Sequence, residues 1–586
     1  VGQPILAAAA FRAARTKSRF LLSLLLLLCV LSGCQKKTQG PPPRYAFVRF
    51  ENLSGDASLD WVGRAATEFL SWSLSGAMDG AVLNSQALGR AANGMGAAPS
   101  DRAKAEIAGA TRLITGYIER YNGELRMSAS DEDLITHKTV RIVTSEASQP
   151  MSAFLQLARN FSPSARPYLT TKPEVLRLYS TALDESPEKA IPDLEAAAGA
   201  DPNFGPAWVS LAEAGVLRGD RAVILEAAND GLTHKIDPAS GAALRLRKAL
   251  LENDKAAQLA ALRELEAANP GDLLLLHSLA ETESLFGDFK ASASHWKKLR
   301  QAAPNDRDAW NQVGYSLAWS GDYAAAAAAM KEYAARWPDD PNPLDSSGDV
   351  EYLYGKFASA SAFYEKANGK SPQFLNGGAL YKAAWALFRA GDKAKADAAF
   401  AKFKAVREKA GDAGVVQFEG DWLYRTGREK EAFSLFRFRA ASSSEPALQS
   451  ALWSQLVIWE LLSKDRVAAA RDAAIEATRP GSNVSAVARF AALPSASVAE
   501  WQTRAESLLR GPAVAAARRF ALAVALLLDG KKEAARPFWD EIARDTTATD
   551  FFSLAIASKV KGEKPRLELL PDPMTVNQLR ALADLP

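Results

Sequence analysis

The amino-acid sequence predicts a mostly α-helical protein: a solenoid of stacked helix pairs, preceded by a small α/β domain. Three observations carry this expectation. Pro270, Pro304, Pro338 and Pro372 recur at intervals of 34 residues. Gly287, Gly321 and Gly355 keep the same 34-residue interval, offset by half a unit. Around the turn glycines a size pattern repeats in five consecutive units. Seven positions before the glycine stand Ala280, Gly314, Gly348, Ala384 and Gly420; five positions after it stand Ser292, Ala326, Ala360, Ala396 and Ala432. Nine positions after it comes a large residue: Trp296, Met330, Tyr364, Phe400 and Phe436.

One unit shows why the period means paired helices. Trp310, Val313, Gly314 and Leu317 fall at i, i+3, i+4 and i+7, one face of a helix. Gly321 ends that helix, because glycine accepts the left-handed conformation of a C-terminal turn. A closing helix from about Ala324 to Trp337 follows, and Pro338 stops it. Small residues mark where the two helices must approach, and the large one fills the space beside them. A period near 34 with this register resembles the tetratricopeptide (TPR) repeat. The resemblance implies a right-handed superhelix of helix pairs.

The pattern extends both ways. Gly391 and Gly427 follow at intervals of 36, so those units carry two extra residues each. Trp208, Leu211 and Gly219-Asp220 open an earlier unit that closes before Pro238; Gly530 and Trp539 mark a late one, and 452–480 reads as a degenerate copy. The array is expected over 173–547, about ten helix pairs. Residues 548–586, rich in proline and with a short helix at 576–583, read as a cap and tail.

The first 33 residues read as a secretory leader. Arg12, Arg15, Lys17 and Arg19 form a basic n-region, and 20–31 an apolar stretch too short to span a bilayer. Leu31-Ser32-Gly33-Cys34 then resembles a bacterial lipobox, which implies that Cys34 is acylated and becomes the first mature residue. Two or more acyl chains suffice for stable anchoring. Gln35, rather than Asp, resembles lipoproteins sorted to the outer membrane, facing the periplasm. Val1 in first place fits a non-ATG start codon or a shortened sequence. Loss of 1–33 removes four positive side chains and no acids, taking the formal charge from +3 to −1. Such a protein has no basic field for nucleic acid, so none is expected as a partner. Both cysteines, Cys29 and Cys34, are used up by leader and lipid, which leaves no disulfide.

Residues 34–43 are a polar, proline-rich linker. The segment 44–168 then changes character. It reads strand-helix-strand-helix-strand-strand-strand-helix, with strands at 45–50, 81–84, 112–120, 123–129 and 138–144, and helices at 61–74 and 152–160. Phe50-Glu-Asn-Leu-Ser-Gly-Asp56 together with Ile114-Thr-Gly-Tyr-Ile118 resembles the TolB-type N-terminal domain, which often precedes TPR arrays in bacterial proteins.

No catalytic constellation is found. His137, His234, His277 and His295 lack metal-ligand spacing and a cysteine partner, so no metal and no cofactor are expected. Gly369-Lys370-Ser371 has Tyr364 where a phosphate loop needs its first glycine, and Gly94-Met-Gly96 has Pro99 in place of its third. The loop 52–56 reads as a structural Asx turn.

The TPR resemblance places partner-facing residues at the second, fifth, ninth, twelfth and thirteenth positions of each repeat. Transferred here, that register gives Asn311, Tyr315 and Trp319; then Asp345, Asp349 and Tyr352; then Tyr381, Trp385, Phe388 and Arg389; then Gln417, Asp421, Tyr424 and Arg425. Aromatic area with a few orienting charges suits an extended peptide. The lysine, asparagine and arginine set of carboxylate-clamp TPRs is present only in part. The sequence therefore reads as a non-enzymatic, lipid-anchored scaffold that binds protein or peptide ligands along a groove. Two other readings stand beside it: a regulatory or accessory subunit of cell-envelope biosynthesis or export machinery, and an enzyme with its site in the N-terminal domain.

Overall fold

The computed structural model describes residues 42–92, 100–477, 486–508 and 515–544. The leader, Cys34, residues 34–41 of the linker and the C-terminal cap lie outside them. The chain divides into two compact units. One comprises residues 1–220 with the short segments 233–237 and 268–274; the other holds the remainder.

The first unit begins with a six-stranded mixed sheet. Its strands are β1 (Arg44–Phe47), β2 (Glu51–Asn52), β3 (Ala81–Leu83), β4 (Arg112–Tyr121), β5 (Glu124–Asp133) and β6 (Lys138–Ala147). The order is β3-β1-β4-β5-β6, with β2 also paired to β4. β1 runs parallel to β3 and β4, while β4, β5 and β6 form an antiparallel meander. The helices are α1 (Asp60–Leu74), α2 (Ser85–Ala92), α3 (Asp101–Ile107) and α4 (Pro150–Phe161). Two features differ from the sequence expectation. The loop after β1 contains the two-residue strand β2, and two helices rather than one lie between β3 and β4.

The core gathers Phe47, Phe50, Leu70, Ile114, Ile118, Phe154 and Leu157, all buried. Helix α1 fits there because residue 63 is glycine: a Cβ would stand 2.1 Å from the Phe50 carbonyl oxygen. Asp131 is fully buried yet satisfied, pairing with Arg112 at 2.6 Å and Arg141 at 3.1 Å. This unit continues through α5 (Pro173–Ala182), α6 (Pro187–Ala200) and α7 (Gly205–Arg218). Asp184, after α5, holds Arg64 of α1 at 2.8 Å and Arg49 at 2.9 Å.

The second unit is helical throughout its described residues. Its helices are α8 (Arg221–Gly231), α9 (Pro238–Glu252), α10 (Lys255–Ala268), α11 (Leu273–Leu285), α12 (Phe289–Ala302), α13 (Arg307–Trp319) and α14 (Tyr323–Arg336). They continue as α15 (Asn342–Leu353), α16 (Phe357–Lys370), α17 (Gly378–Arg389), α18 (Lys393–Lys409), α19 (Val415–Arg425) and α20 (Glu429–Ser442). The last are α21 (Pro446–Leu462), α22 (Arg466–Ala477), α23 (Ala486–Ala491), α24 (Val498–Leu508), α25 (Ala515–Leu528) and α26 (Lys532–Arg544).

Two adjacent residues punctuate three of the pairs, whereas Gly355 and Gly427 are followed by Lys356 and Arg428, which make no side-chain cap. Gly287, Gly321 and Gly391 take φ of +85°, +94° and +90°, which ends the opening helix. The aspartate after each accepts from a backbone N–H three residues on, at 3.3, 3.0 and 3.1 Å, and so caps the closing helix. Each such cap contributes about 1 kcal/mol. Asn253 and Lys464 replace the turn glycine with φ of +55° and +62°, and the loss of glycine at Lys464 explains why 452–480 reads as degenerate.

The small-small-large set is the internal seam of each pair. Ala280, Ala326, Ala360, Ala384, Ala396 and Ala432 are fully buried, and so are Trp296, Met330, Tyr364 and Phe436. The large side chain on the closing helix lies directly on the small residue of the opening helix. A Cβ at Gly348 would meet Tyr364 Cε1 at 2.5 Å, and one at Gly420 would meet Phe436 Cε1 at 2.0 Å. The two extra residues before Gly391 form a 3-10 turn at Phe374–Gly377, with Leu375 and Asn376 at φ +51°. Those before Gly427 fall in the unit whose closing helix, α18, runs to 17 residues.

Candidate functional site

The opening helices α13, α15, α17 and α19 carry the predicted partner-facing positions. A polar chain joins three of them. Tyr315 of α13 donates through Oη to Asp349 Oδ2 at 2.7 Å, and the same oxygen lies 3.1 Å from the Ser346 hydroxyl, both partners on α15. Tyr364 of α16 donates to Asp349 Oδ1 at 2.8 Å. Lys382 of α17 reaches back to Asp345 Oδ2 at 2.6 Å and to Asp349 at 2.9 and 3.0 Å. Two carboxylates thus share one ammonium and two phenols.

Burial and charge set the protonation of this cluster. The Asp345 side chain is only 4% exposed. Burial, reinforced by Asp349 and opposed by Lys382, raises its pKa to about 6. Burial and then the Asp349 charge push the Tyr315 and Tyr364 phenols well above their ordinary value. Burial alone would lower Lys382, but Asp349 and Asp345 outweigh it and hold the ammonium above its usual range. One acceptor is left over. Asp345 Oδ1 is buried and has no hydrogen-bond partner among the described residues, and the same is true of Asn311 Oδ1. Asn311 and Asp345 occupy the same position of adjacent repeats, 34 residues apart.

The remaining predicted residues divide into two sets. Trp319, Tyr352, Tyr381, Arg389 and Tyr424 are half-buried, each leaning on a neighbouring ring. Trp319 stacks on Phe289 at 5.7 Å, and Tyr352 meets Phe357 edge-on at 5.1 Å. Arg389 lies over Phe357 at 5.1 Å, and Tyr424 stacks on Trp459 at 4.6 Å. Tyr381 donates to Asp421 at 3.3 Å.

Trp385 and Arg425 correct the sequence expectation. Trp385 is 6% exposed and packs against Trp422 at 4.7 Å, so the ninth position points into the core in this repeat. The Arg425 side chain is 1% exposed; its guanidinium pairs with Asp421 at 2.6 Å and lies over the Trp385 ring at 5.5 Å. Both are held by their own chain. The physical reason is aromatic packing: Trp385, Phe388 and Phe400 surround Trp422 with ring centroids 4.7, 6.0 and 4.8 Å away. The sequence reading also missed Lys382 and Tyr364 as members of the polar cluster. Lys382 sits at a sixth position, outside the transferred register, and only its reach to the preceding repeat reveals its role.

Upstream on the same opening-helix face, His277 of α11 stands 3.3 Å from both Glu281 and Asp308. The hydrogen bond to Asp308, then the nearby carboxylates, raise its pKa against burial. His295 is packed away on Glu283 at 2.6 Å. In the α/β domain the loop 52–56 is bonded to itself: Asn52 Oδ1 accepts from Ser54 N at 3.1 Å, and Asn52 Nδ2 donates to the Asp56 carbonyl at 2.9 Å. Among the described residues no group of three or more His, Cys, Asp or Glu is placed to hold a metal ion. No described helix is long and apolar enough to cross a membrane.

This geometry defines a TPR-type repeat array with a polar and aromatic row on its opening helices. The chain matches no family model and no curated protein. It is similar in structure to MamA from Desulfovibrio magneticus RS-1, with 17% identity, 30% of this chain and 97% of that chain covered, and a TM-score of 0.25. A tetratricopeptide repeat protein from Parabacteroides merdae gives 13% identity, coverage of 43% and 98%, and a TM-score of 0.30. A Naa15/Naa10 complex bound to HypK gives 13%, coverage of 70% and 67%, and 0.33. At these values nothing of what those proteins bind carries over.

Proposed function

We propose that the chain is a non-enzymatic scaffold, tethered to a bacterial cell-envelope membrane through lipid on Cys34, that binds protein or peptide partners along the opening-helix groove of 311–425. Asn311, Tyr315, Trp319, Asp349, Tyr352, Tyr381, Arg389 and Tyr424 line it. The observation that carries the reading is the half-buried state of these side chains in four consecutive repeats. Rings already ordered by a neighbour lose little entropy when a ligand covers their remaining surface. The Leu31-Ser-Gly-Cys34 motif supports the anchor, and facing the periplasm from the outer membrane is the placement Gln35 favours.

The test is capture from an envelope extract by the full chain and by a Tyr352→Ala/Arg389→Ala variant. Anchors of this kind contribute about 2 kcal/mol or more each when truncated. The variant should therefore lose the captured partners while its circular dichroism stays that of the parent. A folded variant that retains every partner moves the binding surface to the α/β domain.

A further inference from the structure

The end of the sheet where the chain enters carries exposed apolar side chains. Thr111 joins the strands there: its N–H donates to the Arg44 carbonyl at 2.9 Å, and its own carbonyl accepts from Leu134 N at 2.9 Å. Arg44, at the start of β1, and the β5–β6 hairpin at 134–137 therefore stand on one end of the sheet, two strand spacings or about 10 Å apart. Leu134 packs inward against the cluster that holds Ala105 and Ala108, while its neighbour Ile135 is 76% exposed at the hairpin tip. The tip is held in place. Asp133 Oδ1 accepts from Ile135 N at 3.0 Å, from Thr136 N at 2.8 Å and from the Thr136 hydroxyl at 3.0 Å. Ile107, at the end of α3, is exposed as well, and Val140 and Ile142 continue the apolar surface along the edge strand β6. One exposed isoleucine is ordinary; a group of them beside the chain entry marks a contact surface. On the β3 side of this end, residues 271–273 already cover Ala81 and Gly109.

Charge at the tip is balanced. Arg102 pairs with Glu132 at 2.6 Å, and His137 lies 3.8 Å from the same carboxylate. What docks here meets apolar area rather than a field. The lipid-anchor motif identifies that surface. Cys34 precedes Pro42 by eight residues, which reach at most about 29 Å when fully extended. An acylated Cys34 thus keeps this end of the sheet next to the bilayer.

We propose that the β5–β6 hairpin tip is a second membrane contact, in which Ile135, with Ile107 and Val140, enters the interface of the bilayer that anchors Cys34. The assignment rests on the anchor reading above. Lipid on Cys34 fixes a point; a second apolar contact fixes which end of the sheet faces the headgroups. Because the surface is aliphatic and the local charges are paired, a zwitterionic bilayer suffices.

The experiment uses the lipidated protein, expressed from the full chain and reconstituted into phosphatidylcholine liposomes. Cleavage removes Cys29 and acylation occupies Cys34, so Ile135→Cys supplies a single free thiol for a polarity-sensitive dye. Its emission should shift to the blue and be quenched by lipids that carry a nitroxide near the headgroup. The same dye on Leu53→Cys, exposed beside Ile118 toward the far end of β4, should stay in water. With the dye on Ile107→Cys, adding Ile135→Asp should lower the membrane-inserted fraction about ten-fold, the transfer of one isoleucine side chain. Equal emission from Ile135 and Leu53, in protein that floats with the liposomes, overturns the hairpin contact while the anchor stands. Protein that carries no acyl mass on Cys34 and does not float means that the anchor reading has failed, and the contact with it. A shift at Ile135 that follows protein density rather than lipid marks a second copy on the hairpin and overturns the lipid assignment.

Discussion

Two glycine-to-alanine changes within one repeat should shift stability in opposite directions. Gly348 lies on α15 under the Tyr364 ring, and an added Cβ would stand 2.5, 2.6 and 2.9 Å from three ring carbons. The ring cannot swing aside freely, because its hydroxyl is held by Asp349 at 2.8 Å. Alanine in a helix interior gains roughly 1 kcal/mol over glycine. Against it stand overpacking at about 1–3 kcal/mol and a strained hydrogen bond to a charged group at about 1.5–3 kcal/mol. The losses win, and Gly348→Ala should destabilise by about 1–3 kcal/mol. Gly369, near the end of α16 in the same pair, has nothing within 4 Å of its Cβ position. Gly369→Ala should therefore stabilise by about 0.5–1 kcal/mol. Long repeat arrays break two-state behaviour, so the assay is hydrogen exchange of amides in α15 and α16 alongside urea titration. Slower exchange in Gly348→Ala than in the parent would refute the packing argument.

Three further outcomes are expected. Cys34→Ala should abolish uptake of a fatty-acid analogue and release the protein from sedimented membranes; retained label places the anchor elsewhere. Asp345 titrates near pH 6 in the folded chain, above an unfolded value near 4. Its carboxyl holds the proton longer when folded, so its contribution is full below about pH 4 and is lost as pH rises through 6, by about 2–3 kcal/mol. Urea midpoints of wild type minus Asp345→Asn should fall across that window, and a difference flat from pH 4 to 7 would contradict it. Trp385→Ala should unfold its repeats early, since truncating a buried tryptophan costs about 3–5 kcal/mol; an unchanged melting curve would return Trp385 to the groove.

The repeat was legible because its determinants are local. A turn glycine acts within one chain reversal, and the small-small-large set acts across one helix pair, so both recur in the sequence at the spacing of the contact. What the sequence hid depends on how one repeat meets the next. Position nine is Tyr315, Asp349, Trp385 and Asp421 in successive units, and identical register does not give identical exposure. Tyr315 ties its hydroxyl to Asp349, whereas Trp385 packs onto Trp422, and Asp421 at the equivalent position of α19 is taken by Tyr381 and Arg425 instead. Lys382 was hidden likewise, since its partners lie 37 and 33 residues back, in the preceding repeat. A partner-facing register transferred position by position therefore finds the face of the helix, and the next repeat decides which of its residues a ligand can reach. In this chain Tyr315, Asp349 and Lys382 stay half-open, whereas aromatic packing closes the ninth position at Trp385.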